Sequence, residues 1–175
     1  MSHSLAKQPD IRPVSEQDRS KIDGVIAAAF DGTDEVALVR RLVSDNDVVL
    51  ELVAEAEGEI IGHILFSRLW IEQAGSRIAA VALAPLAVFP AYQRDGVGKT
   101  LIAEAHRLLV QQGETLSVVL GDPAYYSRFG YSVSDAAQLE SIYPAQYLQL
   151  KCLTDNKPCA AVQGKLIYAS AFGEN

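Results

Sequence analysis

Between Leu86 and Leu101 the chain reads LAVFPAYQRDGVGKTL, and few folds accommodate that order. An apolar run suited to a strand meets Pro90 and passes through Gln93-Arg94-Asp95-Gly96-Val97-Gly98. It then enters the helical pattern LIAEAHRLLV without a linker. The first N–H groups of a helix have no internal partners, and the helix dipole places partial positive charge there. Reached from a strand through a glycine-bearing turn, such a start binds anions. Gly96 and Gly98 allow close approach of a ligand to the backbone, and Lys99 adds a full charge. The stretch predicts a cradle for a pyrophosphate.

Three patterns compete for the turn. A P-loop, G-x-x-x-x-G-K-[ST], is met at Gly98-Lys99-Thr100 but finds Gln93 at its first glycine. The dinucleotide fingerprint G-x-G-x-x-G fits Gly96 and Gly98 and fails at Leu101. The third pattern is Q-x-x-G-x-G after a V-x-P strand end, and Val88, Pro90, Gln93, Gly96 and Gly98 all meet it. This combination resembles the acetyl-CoA motif of the GNAT superfamily of N-acetyltransferases. The segment Tyr125-Tyr126-Ser127-Arg128-Phe129-Gly130-Tyr131 carries a second resemblance: an aromatic-Tyr pair, a short spacer, then Gly and an aromatic. The phrase GDPAYYSRFGY, with Pro85-Leu86-Ala87-Val88, is most similar to a bacterial subgroup of small N-acetyltransferases. Without the resemblance, the turn also suits an ordinary strand-to-helix connection, and Tyr126 a packing residue.

The resemblance implies an α/β fold: a mixed, largely antiparallel sheet of about seven strands around a central β-α-β acetyl-CoA-binding unit, with flanking helices. It implies one domain over residues 1–175, with acetyl-CoA as co-substrate. The partner is an amine acceptor, a small molecule or a peptide, attacking the thioester directly in a ternary complex. Leu86, Ala87 and Val88 would offer backbone contacts to the thioester and pantetheine, beside Pro85, which cannot donate to a ladder. Gln93, Arg94, Asp95, Gly96, Val97, Gly98 and Lys99 would hold the pyrophosphate. Tyr126 would be the catalytic acid that protonates the departing thiolate. The acceptor would enter beside Phe30–Glu35, where Asp31, Asp34 and Glu35 suit a cationic amine. Family members often carry a Glu on the cradle strand or its neighbour, whereas this strand reads Ala79-Ala80-Val81-Ala82-Leu83-Ala84. The general base is therefore unassigned, with a water relay or Asp122 as candidates. That departure keeps a non-catalytic acyl-CoA sensor as the rival reading, and a nucleotide-phosphate enzyme using Gly98-Lys99-Thr100 as another.

Composition narrows the partners. The chain has 175 residues, 49% apolar and 21% charged, as expected of a globular protein. A net charge of −7 argues against a nucleic-acid backbone as main partner. MSHSLAKQPD has no apolar signal region, and Ile78–Phe89 is too short to span a bilayer. A cytoplasmic protein without membrane or metal is the expectation, with a homodimer left open. Cys152 and Cys159 match no metal or redox spacing and read as reduced thiols.

In chain order, Ile11–Val14 suits a short strand, and Ser15 with Asp18 a helix-capping box before Ile22, Val25, Ile26 and Ala29 at helical spacing. A second helix follows Asp31-Gly32. Leu50–Ala56 alternates, with Glu51, Val53 and Glu55 opposite Leu52 and Ala54, then turns at Glu57-Gly58 into Glu59–Trp70. His63 reads as a core-edge residue. Arg77–Val88 is the next strand. After the cradle, a helix with Val97, Leu101, Ala105 and Leu109 on its apolar side leaves His106 solvated and ends at Gly113. Leu116–Leu120 is a buried strand, and Ala124–Phe129 a short helix. Gln146–Leu153 and Gln163–Tyr168 read as closing strands joined by a polar loop of Asp155, Asn156, Lys157 and Pro158.

Overall fold

The computed structural model describes residues 7–154, 159 and 161–173. The polar loop Asp155–Pro158 and most of the N-terminal stretch lie outside the described residues. The strands are β1 (Asp10–Pro13), β2 (Val48–Ala56), β3 (Glu59–Gln73), β4 (Ser76–Val88), β5 (Leu116–Leu120), β6 (Leu139–Glu140), β7 (Leu148–Cys152) and β8 (Gly164–Tyr168). The helices are α1 (Arg19–Phe30), α2 (Asp34–Ser44), α3 (Val97–Gln111) and α4 (Pro123–Tyr126). Among the described residues, the strands join one eight-stranded sheet of order β1-β2-β3-β4-β5-β7, with β8 on β3 and β6 on β8. The pairs β1–β2, β3–β8 and β5–β7 are antiparallel; β4–β5 and β6–β8 are parallel. No described helix is long and apolar enough to cross a membrane.

The chain divides into two compact units, residues 1–65 with 85–105, and 66–84 with 106–175. In the first, Ser15 and Asp18 form the expected capping box, and Arg12 reaches both Asp18 (2.8 Å) and Glu55 (2.8 Å). α1 buries Ile22, Val25 and Ile26 and ends at Asp31 in the left-handed region; α2 buries Val39 and Leu42. Glu57 and Gly58 both take positive φ, as a tight hairpin turn between β2 and β3 requires. Gly62 on β3 faces α3: a Cβ there would lie 2.9 Å from Val97 Cγ1 and 3.0 Å from Leu101 Cδ1. The missing side chain lets the start of α3 settle on the strand.

The alternation expected of β2 misplaces two residues, because residues 50–54 are buried on both faces. Val53 is wholly buried. Glu51 is not solvated; it is buried, with both carboxylate oxygens on Arg19 (2.6 and 2.8 Å) and His63 Nε2 at 2.7 Å. Burial alone would raise its pKa, but the hydrogen bonds from His63 and Arg19 prevail and hold it below the usual carboxylate range. His63 is wholly buried rather than at the core edge.

In the second unit, β5 pairs with β4 over Val81–Leu83 and with β7 along its whole length. Leu116 and Val118 pack with Leu69, Ile71, Leu148, Leu150, Leu166 and Tyr168. The two tail strands do not pair with each other. β7 extends the sheet beside β5, while β8 returns to β3 through Leu69↔Tyr168. The thiol expectation is also corrected: Cys152 and Cys159 are joined as a disulfide, their Cα atoms 5.4 Å apart. A spacing of seven carries no signal by itself, because pairing depends on whether the fold brings the two residues together.

Candidate active site

The cradle is built at the junction of β4 and α3. A helical turn at Pro90–Tyr92 leads to Gln93, whose side-chain amide donates to the Val88 carbonyl at 3.1 Å and ties the loop to the strand end. Arg94 and Gly96 both take positive φ (71° and 83°), which folds the backbone back before α3 begins. Such a conformation is uncommon for arginine and open to glycine. An added Cβ at Gly96 would meet nothing within 4 Å, so the space over the turn is open. Thr100 makes the first helical bond, N–H to Gly96 carbonyl at 3.0 Å. The N–H groups of Val97, Gly98 and Lys99 therefore precede the hydrogen-bond ladder. Arg94, Asp95, Gly96 and Lys99 are exposed, whereas Val97 and Gly98 are buried. An anion would meet backbone donors and the Lys99 charge here, which fits a pyrophosphate.

On β4, Leu86 and Val88 are half-buried and Ala87 is buried. The parallel ladder with β5 ends at Leu83↔Val119, so residues 84–88 lie outside it. Phe89 N–H is taken by the Ile61 carbonyl at 2.8 Å. These segments and the acidic loop after α1 belong to the first unit; Tyr126 belongs to the second. Asp31 and Asp34 are exposed, and Glu35 is half-exposed.

Tyr126 ends α4, which begins after Asp122. Asp122 accepts from Ala124 N–H at 2.9 Å and so serves as an N-cap. The Tyr126 ring packs edge-to-face on Tyr125 (4.9 Å) and Tyr131 (5.9 Å). Among the described residues nothing accepts from or donates to its hydroxyl. Burial and, secondarily, the neighbouring Tyr125 raise its pKa above the ordinary value, so it stays protonated throughout the neutral range.

His106 is half-buried rather than simply solvated. It stacks against Phe66 and Tyr131, and its Nε2 lies 3.0 Å from the Tyr131 hydroxyl, itself 2.8 Å from Ser117 Oγ. Burial, aided by the charge of Lys151, lowers its pKa to about 4. Sequence reasoning missed this chain because helical spacing puts His106 at the border of the polar face, and only the fold brings Tyr131 there. No group of three or more His, Cys, Asp or Glu among the described residues could hold a metal ion.

The family model for the acetyltransferase (GNAT) domain matches residues 10–134. The chain belongs to the GNAT acetyltransferases. Two relatives in Escherichia coli (strain K12) are the uncharacterized N-acetyltransferases YhbS and YjhQ. The first is 35% identical over 73% of this chain and 75% of its own. The second is 37% identical over 75% of this chain and 72% of its own. Among solved structures, Escherichia coli YhbS in complex with CoA superposes with a TM-score of 0.87 at 31% identity, covering 99% of this chain and 97% of that one. A GNAT family acetyltransferase from Brucella melitensis in complex with acetyl-CoA gives 0.75 at 33% identity, covering 93% and 97%. The GNAT fold accounts for the mixed, largely antiparallel sheet, whose eight strands agree with the expected seven or so.

Proposed function

We propose that this GNAT protein transfers the acetyl group of acetyl-CoA to a primary amine, within a single domain and in the cytoplasm. The observation that carries the reading is the start of α3. Backbone donors ahead of the helical ladder, an open glycine turn and the exposed Lys99 support a pyrophosphate site there. Gln93 through Lys99 hold that group, and backbone atoms of Leu86, Ala87 and Val88 take the pantetheine arm. The solved relatives bound to CoA and acetyl-CoA support this assignment.

The neutral amine attacks the thioester carbon. A C–N bond forms, the C–S bond breaks, the amine loses a proton to solvent or a base, and the sulfur gains one from Tyr126. A free thiol has a pKa near ~8.5, so its expulsion at neutral pH gains from a fixed donor. Holding both reactants in line supplies much of the rate. The acceptor approaches beside Phe30–Glu35, where carboxylates attract a cation. Asp31→Asn and Glu35→Gln should each raise the KM of the amine and leave that of acetyl-CoA unchanged; a flat result for both places acceptor recognition elsewhere.

The reading is tested by mass spectrometry of gently purified protein, followed by thiol-release assays with amines, peptides and aminoglycosides. CoA species with acetyl transfer are expected. CoA bound without transfer to any amine would favour a sensor, and a bound nucleotide would overturn the cradle assignment.

A further inference from the structure

One tight packing constraint in the second unit lies against the proposed acid. A Cβ built on Gly121 would sit 2.5 Å from Cε2 and 3.0 Å from Cδ2 of Tyr126. Carbon atoms pack at about 3.5–4.0 Å, so any side chain at Gly121 must drive the ring away by about 1 Å. Gly121 does not take positive φ, so the ring, and not the backbone, demands glycine here. The strand end cannot retreat freely. Its N–H donates to the Tyr147 carbonyl at 3.0 Å, and its carbonyl accepts from Gln149 Nε2 at 3.1 Å. On other sides the ring meets Tyr125 and Tyr131, and Tyr131 is pinned through its hydroxyl by Ser117 and His106.

We propose that Gly121 is a positioning residue: its bare backbone is the floor that fixes the Tyr126 ring, with Tyr131 as the wall. This inference rests on the reading of Tyr126 as proton donor. A misplacement of 1 Å in a reacting group can cost about 10²-fold in rate. The ring turns more easily than the doubly bonded strand end, so Gly121→Ala is expected to fold with Tyr126 displaced.

The test uses the full chain, with acetyl-CoA as donor and spermidine, kanamycin and a lysine-containing peptide as amines. Gly121→Ala should lower kcat by about 10–100-fold, leave the KM for acetyl-CoA unchanged, and shift the ring-proton resonances of Tyr126. In the Tyr126→Phe background it should cost nothing further. If Tyr126→Phe itself keeps normal kcat, the proton-donor reading fails and takes this inference with it. If Tyr126→Phe is damaging but Gly121→Ala is harmless, or equally costly in both backgrounds, the donor reading stands and the floor is refuted. Unmoved Tyr126 resonances in Gly121→Ala refute it without any turnover. Should that variant not fold, Tyr131→Phe tests the wall: a several-fold loss of kcat at constant KM is expected, and unchanged kcat overturns the clamp.

Discussion

At the residue scale, Tyr126 and His106 both pack against Tyr131 and carry different predictions. General acid catalysis typically contributes about 10²–10⁴-fold, so Tyr126→Phe should lower kcat at least ~100-fold while the KM for acetyl-CoA barely moves. Tyr125→Phe is the control, because Arg128 already covers that ring at 4.8 Å. Damage from Tyr125→Phe with none from Tyr126→Phe would reverse the assignment. His106 makes a different prediction. Its folded pKa of about 4 lies below the ordinary 6.5, so the folded state resists a proton that the unfolded chain accepts. Its stabilising contribution is complete above pH 6.5 and is lost as pH falls toward 4. Thermal melts of the wild type should weaken across that window, and His106→Gln should flatten it; parallel curves would show that another group titrates. The short helix that carries Tyr126 was legible because its motif is local in sequence. His106 and Glu51 were not, since each owes its burial to residues far along the chain: Tyr131 for one, Arg19 and His63 for the other.

Elements were read better than their partners. The capping box at Ser15, the Glu57-Gly58 hairpin and the helix after Gly96 all announce themselves through short-range chemistry, and the structure has them. Strand pairing is non-local, so the tail strands were found while their neighbours were not: nothing in Gly164–Tyr168 says that it returns to β3. The start of α3 carries the prediction at this scale. Gly98 is buried in the first turn of the helix, and glutamate there adds bulk and negative charge to the proposed anion site. Losing one charge-assisted hydrogen bond costs about 1.5–3 kcal/mol, so calorimetry should show acetyl-CoA binding at least ~10-fold weaker in Gly98→Glu. Circular dichroism establishes that the variant is folded. Unchanged affinity in a folded variant would remove the cradle from the mechanism.

For the whole molecule, the division into two units bears on how the chain unfolds. The boundaries at 65/66, 84/85 and 105/106 fall inside β3, β4 and α3 respectively, rather than in linkers. Cutting a strand ladder or a helix at mid-length forfeits hydrogen bonds on both sides, so neither unit has an end at which to melt alone. The expected behaviour is one cooperative transition, with calorimetric and van't Hoff enthalpies equal. A ligand held only by the native state shifts that transition as a whole. Acetyl-CoA at a hundred times its dissociation constant adds about 2.7 kcal/mol, which for a chain of this size raises Tm by roughly 5–10 °C. Differential scanning calorimetry with and without acetyl-CoA reads both effects. Two resolved transitions, with acetyl-CoA moving just one of them, would show that the units fold independently and that the co-substrate is held by one alone.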